Sequence, residues 1–272
     1  MPEIRRLTAA QSRVKSRYGP WAVVTGASDG IGRALAEEIA ACGLNLVLVA
    51  RRTAVLEELA ETLRTKTGAE VIVLTADLSR PEAVADLLKP TSDLDVGLFA
   101  ACAGFGTSGD FTAINPAVEL EMIAVNCAAL YASTRIYAER FKARGGGALV
   151  LMSSIVAFQG VPRAANYAAT KAYVQSLAEG IGRELAPHGV AVLASAPGPV
   201  ESGFAARAGM RMAVATKPAS VARGTLGALG RRRLVRPGLL SALVGYALQA
   251  LPRFARIRIM QQVMRGMTKR SE

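Results

Sequence analysis

The sequence predicts a three-layer α/β domain: a parallel sheet, wound in both directions and covered by helices on both faces. Three observations predict it. Short β-branched and aliphatic runs recur along the chain, each followed by a segment with helical spacing. The runs are apolar throughout instead of alternating with polar residues, as strands buried on both faces are. No repeat or low-complexity linker interrupts the series over 272 residues, so one domain is preferred to two.

WAVVT (21–25) is the first strand, followed by a glycine-rich turn and a helix over 31–42. LNLVLVA (44–50) is the second strand, and Thr53 is placed to cap the helix after it. EVIVLTA (70–76) is the third, and Ser79-Arg80-Pro81 opens a helix with proline in its first turn. DVGLFAACA (95–103) is the fourth strand, and Pro116 begins a long helix reaching Arg144. GALVLMS (147–153), a helix over 163–186, VAVLASA (190–196) and a last strand in LVRPG (234–238) complete the pattern. In such sheets ligands bind beyond the carboxyl ends of the strands, where several of these runs end in glycine, serine or proline turns.

The composition narrows the class. A 51% apolar fraction and 26 glycines suit a close-packed α/β protein and exclude a disordered one. Cys42, Cys102 and Cys127 lie in apolar stretches without metal-ligand spacing, which reads as buried thiols in a reducing compartment and no metal site. The first 19 residues form a basic extension without the apolar core of a signal peptide, so the expected location is the cytoplasm. The net charge of +12 is unevenly placed: residues 1–202 carry 19 basic and 20 acidic residues, whereas 203–272 carry 14 basic residues and one acid, Glu272. With few aromatics and no nucleic-acid-binding signature, this excess does not indicate nucleic acid. His188, between Pro187 and Gly189 at a helix end, reads as a surface residue without a catalytic role.

The first strand runs directly into Thr25-Gly26-Ala27-Ser28-Asp29-Gly30-Ile31-Gly32. Gly26 suits the tight turn, Gly30 a close backbone approach to a pyrophosphate, and Gly32 the packing of helix on strand. The helix N-terminus favours an anionic phosphate. This TGxxxGIG spacing resembles the classical short-chain dehydrogenase/reductase family, over about residues 20–202. Within the family YGPWAVVTGASDGIG and CAGFG are most similar to the bacterial branch near steroid and 3-ketoacyl reductases. The resemblance implies a single Rossmann-type domain and a nicotinamide cofactor. At the end of the second strand an acid would hold a ribose 2′-hydroxyl. Here Arg51 and Arg52 stand there instead and favour a 2′-phosphate, hence NADP(H) over NAD(H). Asp77 and Leu78 match the family's adenine-contacting pair.

Tyr167 and Lys171, four apart on one helix face, follow Ser154 and Asn126 in the order of the family's Asn-Ser-Tyr-Lys tetrad. A ketone reductase needs a proton for the forming alkoxide. A tyrosine with a pKa of about 10 serves better if an ammonium beside it lowers that value. By resemblance, Tyr167 is the general acid/base and Lys171 also holds the nicotinamide ribose. Ser154 would bond the carbonyl oxygen, and Asn126 would bind a water through its helix backbone. Pro197-Gly198-Pro199-Val200 resembles the family's PG motif, whose backbone meets the nicotinamide carboxamide. Ser202 stands where threonine is usual, and Ala103 and Gly104 fall in the cofactor cleft. One departure is the pair Ala101-Cys102, where the family has two asparagines that tie neighbouring strands together. It motivates an alternative reading as a non-catalytic NADP-binding regulator or scaffold; Cys102 itself reads as packing.

Residues 203–272 form a basic, apolar lid and tail. Phe204, Met210 and Met212 suggest an adaptable cover over a bulky apolar carbonyl or alcohol substrate. The uncharged stretch 238–251 is too short to span a bilayer. For residues 238–272 two readings stay open: peripheral attachment to an anionic membrane, or a subunit-interface helix or lid with solvated or paired arginines. The two long interstrand helices suit the family's dimer-forming four-helix bundle, so a homodimer or homotetramer is expected by analogy.

Overall fold

Each apolar run becomes a strand: β1 (Trp21–Thr25), β2 (Asn45–Ala50), β3 (Val71–Thr75), β4 (Val96–Ala101), β5 (Gly147–Met152), β6 (Val190–Ser195) and β7 (Leu234–Val235). In the computed structural model, which describes residues 7–211 and 214–268 apart from the side chains of Leu88 and Leu240, they pair in parallel in the order β3-β2-β1-β4-β5-β6-β7. Met212, read as part of the lid, lies outside the described residues, as do the ends of the N-terminal extension and of the tail. The strand order reverses between β1 and β4, which opens a crevice at the carboxyl edge there.

The helices are α1 (Ala9–Tyr18), α2 (Gly30–Ala41), α3 (Thr53–Thr67), α4 (Ala83–Leu88), α5 (Pro116–Ile123), α6 (Leu130–Arg144), α7 (Ala165–Glu184), α8 (Phe204–Arg207), α9 (Pro218–Ala228), α10 (Leu239–Gln249) and α11 (Arg253–Met267). Side chains alternate across the sheet into two cores. Val24, Leu48, Leu98, Val150 and Leu193 meet α2, α3 and α9 on one face. Val23, Val47, Phe99, Leu149 and Val192 meet α4, α6 and α7 on the other, where Phe99 stacks on Tyr137 with ring centroids 4.4 Å apart.

Two local expectations, on Thr53 and Pro81, need correction, and two features add to the reading. The extension contains a helix, α1, closed by a capping box between Thr8 and Gln11 and anchored by buried Val14 and Tyr18. Thr53 does not cap α3: Arg52 holds that position, and the Thr53 hydroxyl bonds Thr75 on β3. Pro81 lies before α4 rather than in its first turn, because 79–82 form turns closed on Asp77 and Arg80. The helix from Pro116 to Arg144 is continuous but changes pitch, with a π turn over Ala124–Ala129 between α5 and α6. Such turns displace a helix face locally and are frequent at functional sites; this one carries Asn126.

Next to the Ala101-Cys102 departure the sheet carries a cross-strand tie of its own. The Thr25 hydroxyl at the end of β1 accepts from the amides of both Cys102 and Ala103 at 3.1 Å, beyond the end of β4. It ties the end of β1 to the turn after β4. Replacing Thr25 by valine keeps the shape and removes the acceptor. The variant is expected to lose about 1–3 kcal/mol in denaturant unfolding, the penalty of leaving buried donors unpaired; an unchanged midpoint would show that the tie contributes nothing.

Candidate active site

Parallel register brings the strand ends level: Thr25 lies opposite Ala101, Leu151 opposite Ala101, and Met152 opposite Ser195. Every turn leaving these strands therefore opens on one edge, around a cavity of about 560 Å³. All the sequence-predicted site residues line it except Asn126: Gly26, Ser28, Asp29, Gly30, Ile31, Arg51, Arg52, Asp77, Leu78, Ala103, Gly104, Ser154, Tyr167, Lys171, Pro197, Gly198, Val200 and Ser202.

The glycine-rich turn is tight for a steric reason. Gly26 has φ +67°, and a Cβ there would lie 2.8 Å from the Ala103 backbone; a Cβ on Gly32 would strike the Gly26 carbonyl. Asp29 caps α2, one carboxylate oxygen accepting from Gly30 N at 2.7 Å and the other from Gly203 N at 3.0 Å. It thus latches the turn to the segment after β6. Arg52 folds onto the turn, donating to the Ser28 hydroxyl at 3.1 Å and the Ser28 carbonyl at 2.9 Å. Arg51 pairs with Glu121 at 3.5 Å, and Glu121 also receives Arg207 at 3.2 Å. The arginines therefore sit near the start of α3, where a cation is otherwise unfavourable, because acceptors hold them there. Burial tends to raise the Asp77 carboxyl, but hydrogen bonds from Ser79 and the nearby Arg51 and Arg80 outweigh it, so Asp77 stays ionised below the usual range.

The opposite half of the cavity holds Ser154, Tyr167 and Lys171. Ser154 leaves β5 and caps a 3₁₀ turn over Ile155–Phe158. Tyr167 and Lys171 project from α7. The Lys171 ammonium, buried, donates to the Met152 carbonyl at 2.8 Å and stands 5.8 Å from the centre of the Tyr167 ring. The expected lowering of the Tyr167 pKa by Lys171 is not seen in the chain by itself. Burial pushes the phenol up to about 12, the facing Ser154 hydroxyl offsetting only part of the rise. Burial likewise brings Lys171 down to about 8, against the influence of the Cys127 and Cys102 thiols. The low-dielectric floor dominates both groups. Cys102, partly buried at the cavity wall, is pushed up to about 12 by burial and stays a thiol.

Asn126 lies behind the cavity wall, fully buried. Its carboxamide oxygen accepts from Phe105 N at 3.1 Å, and its amide donates to the Phe105 carbonyl at 2.9 Å and the Thr170 hydroxyl at 3.1 Å. The side chain joins the loop after β4 to α7, one residue before Lys171. A Cβ on Gly104 would fall 2.8 Å from the Asn126 oxygen and 3.5 Å from the Lys171 nitrogen, so these three positions are in close contact.

Sequence reasoning missed Glu121, which lies mid-helix without a motif, and Arg207, whose guanidinium lies 3.6 Å from the centre of the Phe105 ring. It also left open where the tail goes. Met260, Val263, Met264 and Met267 of α11 line the cavity together with Phe204, Met210, Val156 and Ala164. Their spacing at 260, 263, 264 and 267 marks one helix face, a signal present in the sequence. The Phe204 ring lies 5.3 Å from that of Tyr167.

A glycine turn at a helix N-terminus and a Ser-Tyr-Lys group in one cavity coincide with a family match. The model describing "short chain dehydrogenase" matches residues 20–212. This chain belongs to the short-chain dehydrogenase family. It is therefore an oxidoreductase by descent, and its sheet order and single parallel layer are those of the family's solved structures. A 7beta-hydroxysteroid dehydrogenase of Clostridium sardiniense is 36% identical over 179 residues, 66% of this chain and 69% of that one. A structure described for 7beta-hydroxysteroid dehydrogenase stereoselectivity superposes with a TM-score of 0.83 at 27% identity, covering 91% of this chain and 98% of the other. A short-chain dehydrogenase from Sphingobium yanoikuyae in complex with NADPH gives 0.79 at 33% identity, covering 89% and 95%.

The electrostatics of the short-chain dehydrogenase site are open to direct titration. An ultraviolet difference titration between the wild-type protein and Tyr167→Phe is expected to show the missing phenolate only near pH 12, after ordinary tyrosines have ionised at about 10. A difference already complete by pH 10 would mean that Lys171 governs the phenol and burial does not.

Proposed function

We propose that the chain is an NADP(H)-dependent short-chain dehydrogenase/reductase that interconverts a ketone and an alcohol on a bulky apolar substrate. The observation that carries this reading is the polarity of the cavity at the strand ends. One end offers the glycine turn with Arg51 and Arg52, and the other surrounds Tyr167 and Ser154 with apolar side chains.

The cradle fits the cofactor chemically. The pyrophosphate would lie on the turn around Ser28, Gly30 and Ile31, where the N-terminus of α2 and its backbone amides favour an anion. Arg51 and Arg52 would hold the 2′-phosphate with forked donors, Arg51 exchanging Glu121 for it. Asp77 and Leu78 would border the adenine, Ala103 and Gly104 would let the cofactor pass close to the backbone, and Lys171 would hold the nicotinamide ribose. Pro197, Gly198, Val200 and Ser202 would meet the nicotinamide carboxamide. When bound, the nicotinamide supplies or accepts the hydride. Ser154 donates a hydrogen bond to the substrate carbonyl oxygen and stabilises charge developing there. Tyr167 gives its phenolic proton to the same oxygen. Asn126 keeps α7 and the loop after β4 in fixed relation, so that Lys171 stays beside that proton path.

Methionine side chains adapt to irregular apolar shapes, and Met210, Met260, Met264 and Met267 surround the substrate end. The likeness to a 7beta-hydroxysteroid dehydrogenase supports a fused-ring or similarly bulky ketone. The alternative of a non-catalytic binder arose from Ala101-Cys102; the Ser154, Tyr167 and Lys171 side chains gathered in one cavity favour the enzyme reading over it.

Purified protein titrated with NADPH and NADH by nicotinamide fluorescence is expected to prefer NADPH. Arg52→Ala should weaken NADPH by roughly tenfold or more, the value of a charge-assisted contact, and NADH much less. Tyr167→Phe should keep NADPH binding and lose at least about 100-fold in ketone reduction. Equal turnover by Tyr167→Phe would refute the role of the phenol.

The family's four-helix bundle is proposed to form the oligomer through α5, α6 and α7, whose exposed Leu120, Ile123, Tyr131 and Tyr173 lack partners within the chain's core clusters. Sedimentation velocity should show a dimer or tetramer, reduced to monomer by Tyr131→Glu with Tyr173→Glu. A wild-type monomer at micromolar concentration would remove this assembly.

A further inference from the structure

The tail resolves into two helices that face opposite ways. The inner side of α11 closes the cavity with Met260 and Met264, which pack on Val161, Ala164, Ala168 and Leu248. α10 is fastened to the body on one side only. The Ser241 hydroxyl accepts from Gly198 N at 3.1 Å, and Arg236, buried, stacks between the Phe158 and Tyr246 rings at 4.6 and 4.7 Å. Its other side carries Leu239, Leu243, Ala247 and Ala250, which helical spacing places on one face, with the outer side of the Tyr246 ring at its edge. That face is apolar and open: Leu239 is 80% exposed, Leu243 60% and Tyr246 61%, and Phe254, just beyond, is 70% exposed. A surface helix normally turns its apolar face inward. Here it turns outward, and continuous exposed apolar surface marks an interaction site.

We infer that α10 and the outer face of α11 dock on an anionic lipid surface, with α10 lying in the interface and the mouth of the cavity toward the bilayer. Charge complementarity identifies the occupant. No acidic residue occurs between positions 203 and 271. Arg253, Arg258 and Arg265 are exposed on α11, and among the described residues they pair with no carboxylate. A second copy on this face would oppose arginine to arginine with no acid between them, because a two-fold interface sets the same patch against itself. Anionic headgroups meet the same arginines favourably, each basic side chain near such a surface being worth roughly fivefold in partitioning. A helix with an apolar face and a basic fringe lies along an interface rather than through it. Among the described residues no helix is long and apolar enough to cross a membrane.

Docking in this pose has a consequence for substrate entry. Val263 lines the cavity and is also 43% exposed, so the cavity reaches the surface beside α11. An apolar ketone dissolved in the bilayer would enter there without crossing water. This consequence rests on the oxidoreductase reading above, but the docking itself does not.

The test is co-sedimentation of the full chain with vesicles of neutral phosphatidylcholine, and with vesicles also containing an anionic lipid such as phosphatidylglycerol. The chain is expected to sediment with the anionic vesicles at low salt, several-fold less at high salt, and weakly with the neutral ones. Leu243→Glu with Phe254→Glu alters only exposed positions outside the cavity, and should lower binding at least tenfold while NADPH titration of the same preparation stays unchanged. Failure to sediment at low salt would overturn the proposal. So would equal sedimentation of the double variant, or a stable dimer that the double variant dissociates, which would assign the face to a second copy. Because lipid binding is read without turnover, it stands or falls apart from the NADPH titration that tests the reaction.

Discussion

Everything at the site depends on the parallel register of the sheet. Because β1, β4, β5 and β6 run the same way and end level, the turns that follow them open on one edge. Residues as distant in sequence as Gly26, Ser154 and Gly198 therefore line one cavity. The contacts that stabilise this edge are small and specific. Thr25 pins the turn after β4 to β1, Asp29 pins the glycine turn to the segment after β6, and Asn126 pins the same β4 turn to α7. Together these three side chains fix the turns after β1, β4 and β6 and the start of α7 relative to one another.

Burial then decides the chemistry. Tyr167 and Lys171 stand on a floor walled by Met152, Cys102 and the lid, so both groups are driven toward their neutral forms. A phenol held protonated suits an acid that delivers its proton to a forming alkoxide. An ammonium close to losing its own proton suits a relay that can restore it. The lid methionines of α11 contribute to both roles, since they exclude water from the phenol and form the apolar wall. One helix thus links proton chemistry to substrate shape.

Most of this was legible in the sequence where a residue type is demanded by local physics. The glycine turn, the four-residue spacing of Tyr167 and Lys171 and the apolar strands each leave a pattern within a few residues, and the cavity gathers all the residues those patterns named except buried Asn126. What escaped was set by tertiary contact. Glu121 lies mid-helix with no motif, and its place between Arg51 and Arg207 exists only once α5 crosses the cleft. Sequence shows the lysine beside Tyr167 but not the burial that raises the phenol in the chain by itself. Helix α1 was missed because its amphipathic pattern is weak, and Val14 and Tyr18 find their core only in the folded chain.

The central claim is that the glycine turn, the arginines after β2 and the catalytic floor form a single binding unit for one dinucleotide. Amide hydrogen exchange with and without NADPH tests it most directly. The account predicts protection, appearing together at one NADPH concentration, in the turn at 26–31 and at 51–52, 77–78, 102–105 and 197–203. Protection confined to one of these segments, or appearing elsewhere on the surface with the strand-end turns unchanged, would contradict it.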